Sequence, residues 1–93
     1  MPTAQHCVTV IHETGLHARP ASKFVQTAAG FDSEIRIGRP DDGETVDAKS
    51  SIQVLSLGIK QGEDLEITAD GADSGEAVER LVKLVENDFE LDE

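Results

Sequence analysis

The hydrophobic repeat of this chain switches back and forth between a period of two residues and one of about 3.6, an order that leaves few folds open. His6 to Ile11 is rich in β-branched residues and reads as a first strand. Ala21, Phe24, Val25 and Ala28 then follow the i, i+3, i+4, i+7 rule, which predicts an amphipathic helix over Ala18 to Ala29. Gly30 is expected to end it in the left-handed conformation. Glu34 to Arg39 alternates, with Ile35 and Ile37 on one face. Pro40-Asp41-Asp42-Gly43 is a turn signal, and Thr45 to Ala48 resumes the alternation with Val46 and Ala48 inward, so a hairpin is expected.

Ser50 or Ser51 can cap a short helix carrying Ile52, Leu55 and Leu57 and ended by Gly58. Gly62-Glu63-Asp64 turns the chain into a strand with Leu65, Ile67 and Ala69 inward. Asp73-x-x-Glu76 resembles a capping box opening a last helix, whose apolar stripe is Val78, Leu81, Val82 and Val85. Glu76–Arg80 and Glu79–Lys83 are favourably oriented pairs on its polar side. Asp88 to Glu93 reads as an acidic tail that frays. The order is βαββαβα. Because all four strands alternate, one face of an antiparallel sheet should be covered by the helices and the other solvated. The expected fold is an α+β open-faced sandwich, a four-stranded antiparallel sheet with three helices on one face. Residues 1–93 form one domain.

A net charge of −11 argues against nucleic acid as a partner. The acids are unevenly spread. Neither Thr14 to Phe31 nor Ala48 to Gly62 contains an Asp or Glu, yet Arg19, Lys23, Lys49 and Lys60 lie inside these two windows. If the windows fold together, they make one neutral-to-basic face on an acidic body, suited to an anionic group or an acidic partner. Such acidity is also what a high-salt cytoplasm favours, where the Debye length falls to roughly 3 Å near 1 M salt. The single cysteine, Cys7, lies in an apolar run and is expected to be a buried small hydrophobe. No segment reads as a signal peptide or a membrane span, so a cytoplasmic protein without membrane insertion is expected. No His/Cys/Asp/Glu cluster has metal-ligand spacing, and His6 and His12 read as surface residues.

The chemistry concentrates at Gly15-Leu16-His17-Ala18-Arg19-Pro20-Ala21-Ser22. Pro20 suits a first helical turn, where its missing N–H has no intrahelical partner. The helix should therefore open near Ala18 with His17 at its N-cap. That puts an imidazole, a guanidinium and free backbone N–H groups around the positive end of a helix dipole, an arrangement suited to a dianion. Neutral imidazole is a good nucleophile and, once phosphorylated, a good leaving group. Arg19 can add a charge-assisted contact to a transferring group.

This stretch resembles the active-site signature of the HPr family, the histidine phosphocarriers of the phosphoenolpyruvate-dependent sugar phosphotransferase system. The likeness continues through Lys49-Ser50-Ser51-Ile52, Leu55-Ser56-Leu57-Gly58-Ile59 and Ala77 to Val85. It implies a βαββαβα sandwich in which His17 accepts a phosphoryl group on Nδ1 from enzyme I and passes it to an enzyme IIA. It further implies that Arg19 stabilises that group and that the Ala18 and Arg19 amides bind it. Such a protein is a stoichiometric carrier, acted on by partner enzymes, and needs no cofactor or metal. Lys23, Phe24, Lys49, Ser51, Ile52 and Leu55 are expected to form the docking face, and the chain is expected to work as a monomer. Ser50 aligns with a serine that a dedicated kinase phosphorylates in some members, although a cap at that position is the simpler role. Ser51 departs from the large apolar residue usual there. Two alternatives remain: a carrier for a regulatory, nitrogen-linked or dihydroxyacetone-kinase relay, and a binding module that does not transfer phosphate.

Overall fold

The fourth strand in sequence is central in space. In the computed structural model, which describes residues 3–89, the elements are β1 (Thr3–Thr9), α1 (Ala18–Ala29), β2 (Glu34–Gly38), β3 (Val46–Asp47), α2 (Ser51–Ser56), β4 (Asp64–Asp70) and α3 (Ser74–Glu86). The sheet is ordered β1-β4-β2-β3 and every neighbouring pair is antiparallel. Along β4 the expected alternation is complete. Leu65, Ile67 and Ala69 are fully buried, and their cross-strand partners Val8, Ile37 and Ile35 join them in the core. The other face carries Asp64, Glu66, Asp70 and Glu34 with Arg36, and no helix of the described residues covers it. The helices contribute Phe24, Val54, Leu81 and Val85 to the same core. This is the α+β open-faced sandwich with three helices on one side of the sheet.

Several local expectations are corrected. Strand β1 begins at Thr3 and stops at Thr9, earlier than His6 to Ile11, because its register pairs Thr3 with Asp70 and Thr9 with Asp64. Ile11 then falls beyond the ladder and is half exposed. Cys7 is exposed, not buried: with Val8 and Val10 turned inward, strict alternation puts it on the open face beside Glu66. There, desolvation and the carboxylates of Glu66 and Asp64 raise its thiol above the ordinary range. Strand β3 shrinks to two residues because the Arg36 guanidinium binds both Thr45 Oγ1 (2.8 Å) and the Thr45 carbonyl (3.0 Å), drawing that residue out of the ladder. Gly30 is right-handed, with φ −77°, and α1 ends in a tightened turn.

Helix α3 differs at both ends. Asp73 is its N-cap, but its side chain makes no bond to the helix. The carboxylate accepts the backbone N–H groups of Asp32 and Ser33, both at 2.9 Å, and the Ser33 hydroxyl. These bonds hold its pKa below the ordinary value, the Ser33 hydroxyl contributing most. Glu79 and Lys83 pair at 3.9 Å, whereas no Glu76–Arg80 ion pair occurs among the described residues. At the other end the expected fraying is wrong for its first two residues. Asp88 and Phe89 both have positive φ (59° and 63°), the Phe89 N–H returns to the Leu84 carbonyl at 2.8 Å, and the Phe89 ring is buried. The rest of that tail lies outside the described residues.

Candidate functional site

The loop leading into α1 is held largely by its backbone. Gly15 has φ +69°, and a Cβ there would run into the Ile59 carbonyl oxygen and approach Lys60 Cα at 2.7 Å. Only glycine fits both constraints. One residue later the Leu16 N–H donates to the Ile59 carbonyl at 2.9 Å, and the Leu16 side chain enters the core. The Ile59–Lys60 segment is braced in turn. Arg39 Nε donates to Glu63 Oε1 at 2.8 Å, Arg39 Nη2 reaches the Gly58 carbonyl at 3.2 Å, and the Lys60 N–H donates to Glu63 Oε2 at 2.8 Å. The Arg39 hydrogen bond is the main reason that the Glu63 carboxyl falls to a pKa of about 2, the Lys60 N–H being second.

His17 follows this anchored loop and is exposed at the N-cap of α1, with φ −103° and ψ −164°. Its carbonyl accepts the Ala21 N–H at 2.7 Å, but its imidazole makes no capping bond. The Ala18 and Arg19 N–H groups precede the first intrahelical donor, and Pro20 has none to offer. No acid occupies that first turn. The result is an exposed nucleophile with two open amides behind it. The exposed Arg19 guanidinium forms no ion pair among the described residues. Chemically, such a centre can attack an electrophilic phosphorus and hold the resulting anion with dipole, amides and guanidinium.

The two acid-free windows lie against each other. Leu16 meets Ile59 at one end, the Lys49 ammonium donates to the Phe31 carbonyl at 2.7 Å at the other, and α1 packs on α2 between them. Of the residues expected on the docking face, Lys23 is half-buried on α1, while Ser51, Ile52 and Leu55 stand exposed on α2. Phe24 does not belong there: it is fully buried, because its position on the α1 stripe points at the sheet. Lys49 is half-buried with its ammonium committed to Phe31. Helix α2 is turned inside out relative to an ordinary amphipathic helix. Val54 alone is buried, and Ile52 is 80% and Leu55 42% exposed. Ser50 caps this helix, its hydroxyl accepting the Gln53 N–H at 3.3 Å.

Sequence reasoning missed a contact between His12 and Phe89, which line a cleft together with Arg19, Pro20 and Lys23. His12 is half-buried with Nδ1 accepting the Thr14 N–H, and its ring meets Phe89 edge-on at 5.9 Å. The one signal was an aromatic residue set in an acidic tail. Among the described residues no group of three or more His, Cys, Asp or Glu could hold a metal ion, and no helix is long and apolar enough to cross a membrane.

Residues 4–87 match the family model described as the PTS HPr component phosphorylation site. The phosphocarrier protein HPr of Haloferax volcanii is 44% identical over 77 residues, 83% of this chain and 86% of that protein. The HPr-C-His crystal structure from Thermoanaerobacter tengcongensis superposes with a TM-score of 0.88 at 42% identity, covering 95% of this chain and 99% of the other. The phosphocarrier protein HPr from Bacillus anthracis gives 0.83 at 43% identity, over 89% and 96% of the two chains.

Proposed function

The chain belongs to the HPr family of phosphocarriers, and from that premise we propose that it relays a phosphoryl group from enzyme I to an enzyme IIA through His17. The observation that carries the reading is the exposed imidazole at the N-cap of α1, which makes no capping bond, with two open amides in the first turn and, close to it in sequence, an arginine that has no ion pair among the described residues. The Nδ1 lone pair of His17 forms the new N–P bond as the P–N bond to the donor's histidine breaks, and the electron pair stays on that donor nitrogen. Arg19 and the Ala18 and Arg19 N–H groups receive the charge on the phosphoryl oxygens. The return step is the same in reverse, with an enzyme IIA histidine as acceptor. The partners supply most of the catalysis, so the chain acts as a carrier, one phosphoryl group per copy.

The docking face in this reading is the joined pair of windows, with Lys23 on α1 and Ser51, Ile52 and Leu55 on α2, and its lack of acids admits acidic partners. Ser50 serves as a cap. A phosphate placed there would put a dianion next to Ile52 and Leu55 and weaken docking of such partners. The charge of −11, together with the Haloferax volcanii relative, supports a protein suited to high salt.

Incubation with phosphoenolpyruvate and enzyme I should install one acid-labile phosphate, absent in His17→Ala. Labelling that survives that substitution would overturn the assignment. Label that never moves on to any enzyme IIA, yet reaches a dihydroxyacetone-kinase or nitrogen-branch acceptor, would redirect it.

A further inference from the structure

Beside the first turns of α1 lies a polar cleft of about 190 Å³ lined by His12, Arg19, Pro20, Lys23, Asp88 and Phe89. We propose that this cleft is a second anion site, which binds a phosphate-class oxyanion separately from the acceptor imidazole of His17. Arg19 and Lys23 stand one turn apart on α1, an i, i+4 pair of like charges that repel. The chain holds nineteen acids against eight Lys and Arg, yet neither of these two cations has an ion-pair partner among the described residues. Asp88 lines the same cleft without coming within ion-pair distance of either. Two adjacent cations without an ion-pair partner among the described residues leave room for an anion from solution.

His12, also in the lining, adds an N–H donor. The Thr14 N–H donates to His12 Nδ1 at 3.2 Å, with the Thr14 hydroxyl 2.8 Å from the same atom. An N–H can only donate, so in the neutral ring Nδ1 carries the lone pair and Nε2 the proton. Phe89 holds that ring edge-on, with an interplanar angle of 75°. The wall is built rather than loose, since Phe89 is buried and hydrogen-bonded back to Leu84. Two full charges and an N–H donor among the residues that line one cleft suit a dianion with several acceptor oxygens better than a carboxylate. At about 190 Å³ the cleft is far larger than one water needs and has room for a tetrahedral oxyanion with or without an ester carbon. Arg19 belongs to both sites. An anion seated here would draw its guanidinium away from His17, so a high phosphate level would slow phosphoryl uptake.

The test is an NMR titration of the unphosphorylated chain at fixed pH and ionic strength, with inorganic phosphate, methyl phosphate and acetate in separate arms. Saturable shifts of the His12 and Phe89 rings are expected with phosphate, retained in His17→Ala, since the site does not need the acceptor imidazole. Lys23→Gln should weaken binding on the order of tenfold, the loss of one charge-assisted contact. Asp88→Asn should tighten it, and asparagine keeps the left-handed backbone there. Methyl phosphate binding as tightly as phosphate identifies a phosphomonoester headgroup as the ligand, and binding of phosphate alone identifies the free ion. Shifts that never saturate, that acetate reproduces at equal concentration, or that vanish in His17→Ala overturn the proposal. Failure of the relay assay with intact phosphate binding would sink the reading of His17 and leave this one standing.

Discussion

Helices α1 and α3 both begin at a residue whose side chain makes no bond to its own first turn, and the two use that freedom in opposite ways. At α3 the Asp73 carboxylate turns outward and gathers three donors from the α1–β2 connection, forty residues away in sequence. At α1 the His17 imidazole gathers nothing. An open helix end is ordinarily a cost that a serine or aspartate cap removes. Where the side chain goes elsewhere to fasten the fold, the opening is structural. Where it goes nowhere and the loop beneath it is pinned, the opening is free for the phosphoryl site proposed above.

Replacing the cap tests that contrast most severely. His17→Ser should abolish phosphoryl uptake altogether while raising stability, because serine bonds the first turn where histidine does not. Relative to His17→Ala the gain should be about 0.5–2 kcal/mol in urea unfolding. A stabilised variant that still accepts phosphate would erase the distinction. Asp73→Ala should do the reverse: Ser33, which is buried, loses its acceptor, and Tm falls by several degrees while the folded fraction still accepts phosphate at His17. Gly15→Ala probes the pinned loop under the open end. Forcing a Cβ into a positive-φ position against Ile59 should cost about 1–3 kcal/mol and slow uptake without abolishing it, as read by thermal unfolding and initial rates.

The smallest effect concerns the brace behind that loop. Glu63 has a folded pKa of about 2 against an ordinary 4.5, so its contribution is fully present above pH 4.5 and is lost as pH falls toward 2. Glu63→Gln should flatten the acid limb of the stability curve across that interval and leave the neutral plateau slightly lower. An unchanged acid limb would remove Glu63 from the account.

The sequence carried these regions unequally. The strand–helix order and the inward residues of β4 and α3 were legible because burial on one face imposes a period, and period survives in one dimension. The placement of His17 was legible because Pro20 marks a first turn. Cys7 was misjudged from its apolar neighbours, although the parity set by Val8 and Val10 already decided its side. Phe24 was misplaced for a related reason: the stripe that makes α1 a helix is the same stripe that buries it. The Asp73 bonds could not be read at all, because they join residues forty or more apart and no local pattern records which distant partner a side chain will reach. The return of Phe89 to the core left only the faint trace of an aromatic residue in an acidic tail, since its contact with His12 spans nearly the whole chain.

Helix α2 has a kinetic corollary. Its exposed apolar residues, Ile52 and Leu55, are aliphatic and two in number. Whatever partner covers them gains at most about 1.5–3 kcal/mol from each, well short of what long-lived complexes need. Affinity differences of this kind are expressed mainly in dissociation. In the relay proposed above, a shuttle that must meet one protein and then leave for another is limited by how long it lingers, and docking through a small greasy patch without aromatic anchors would keep that residence time short.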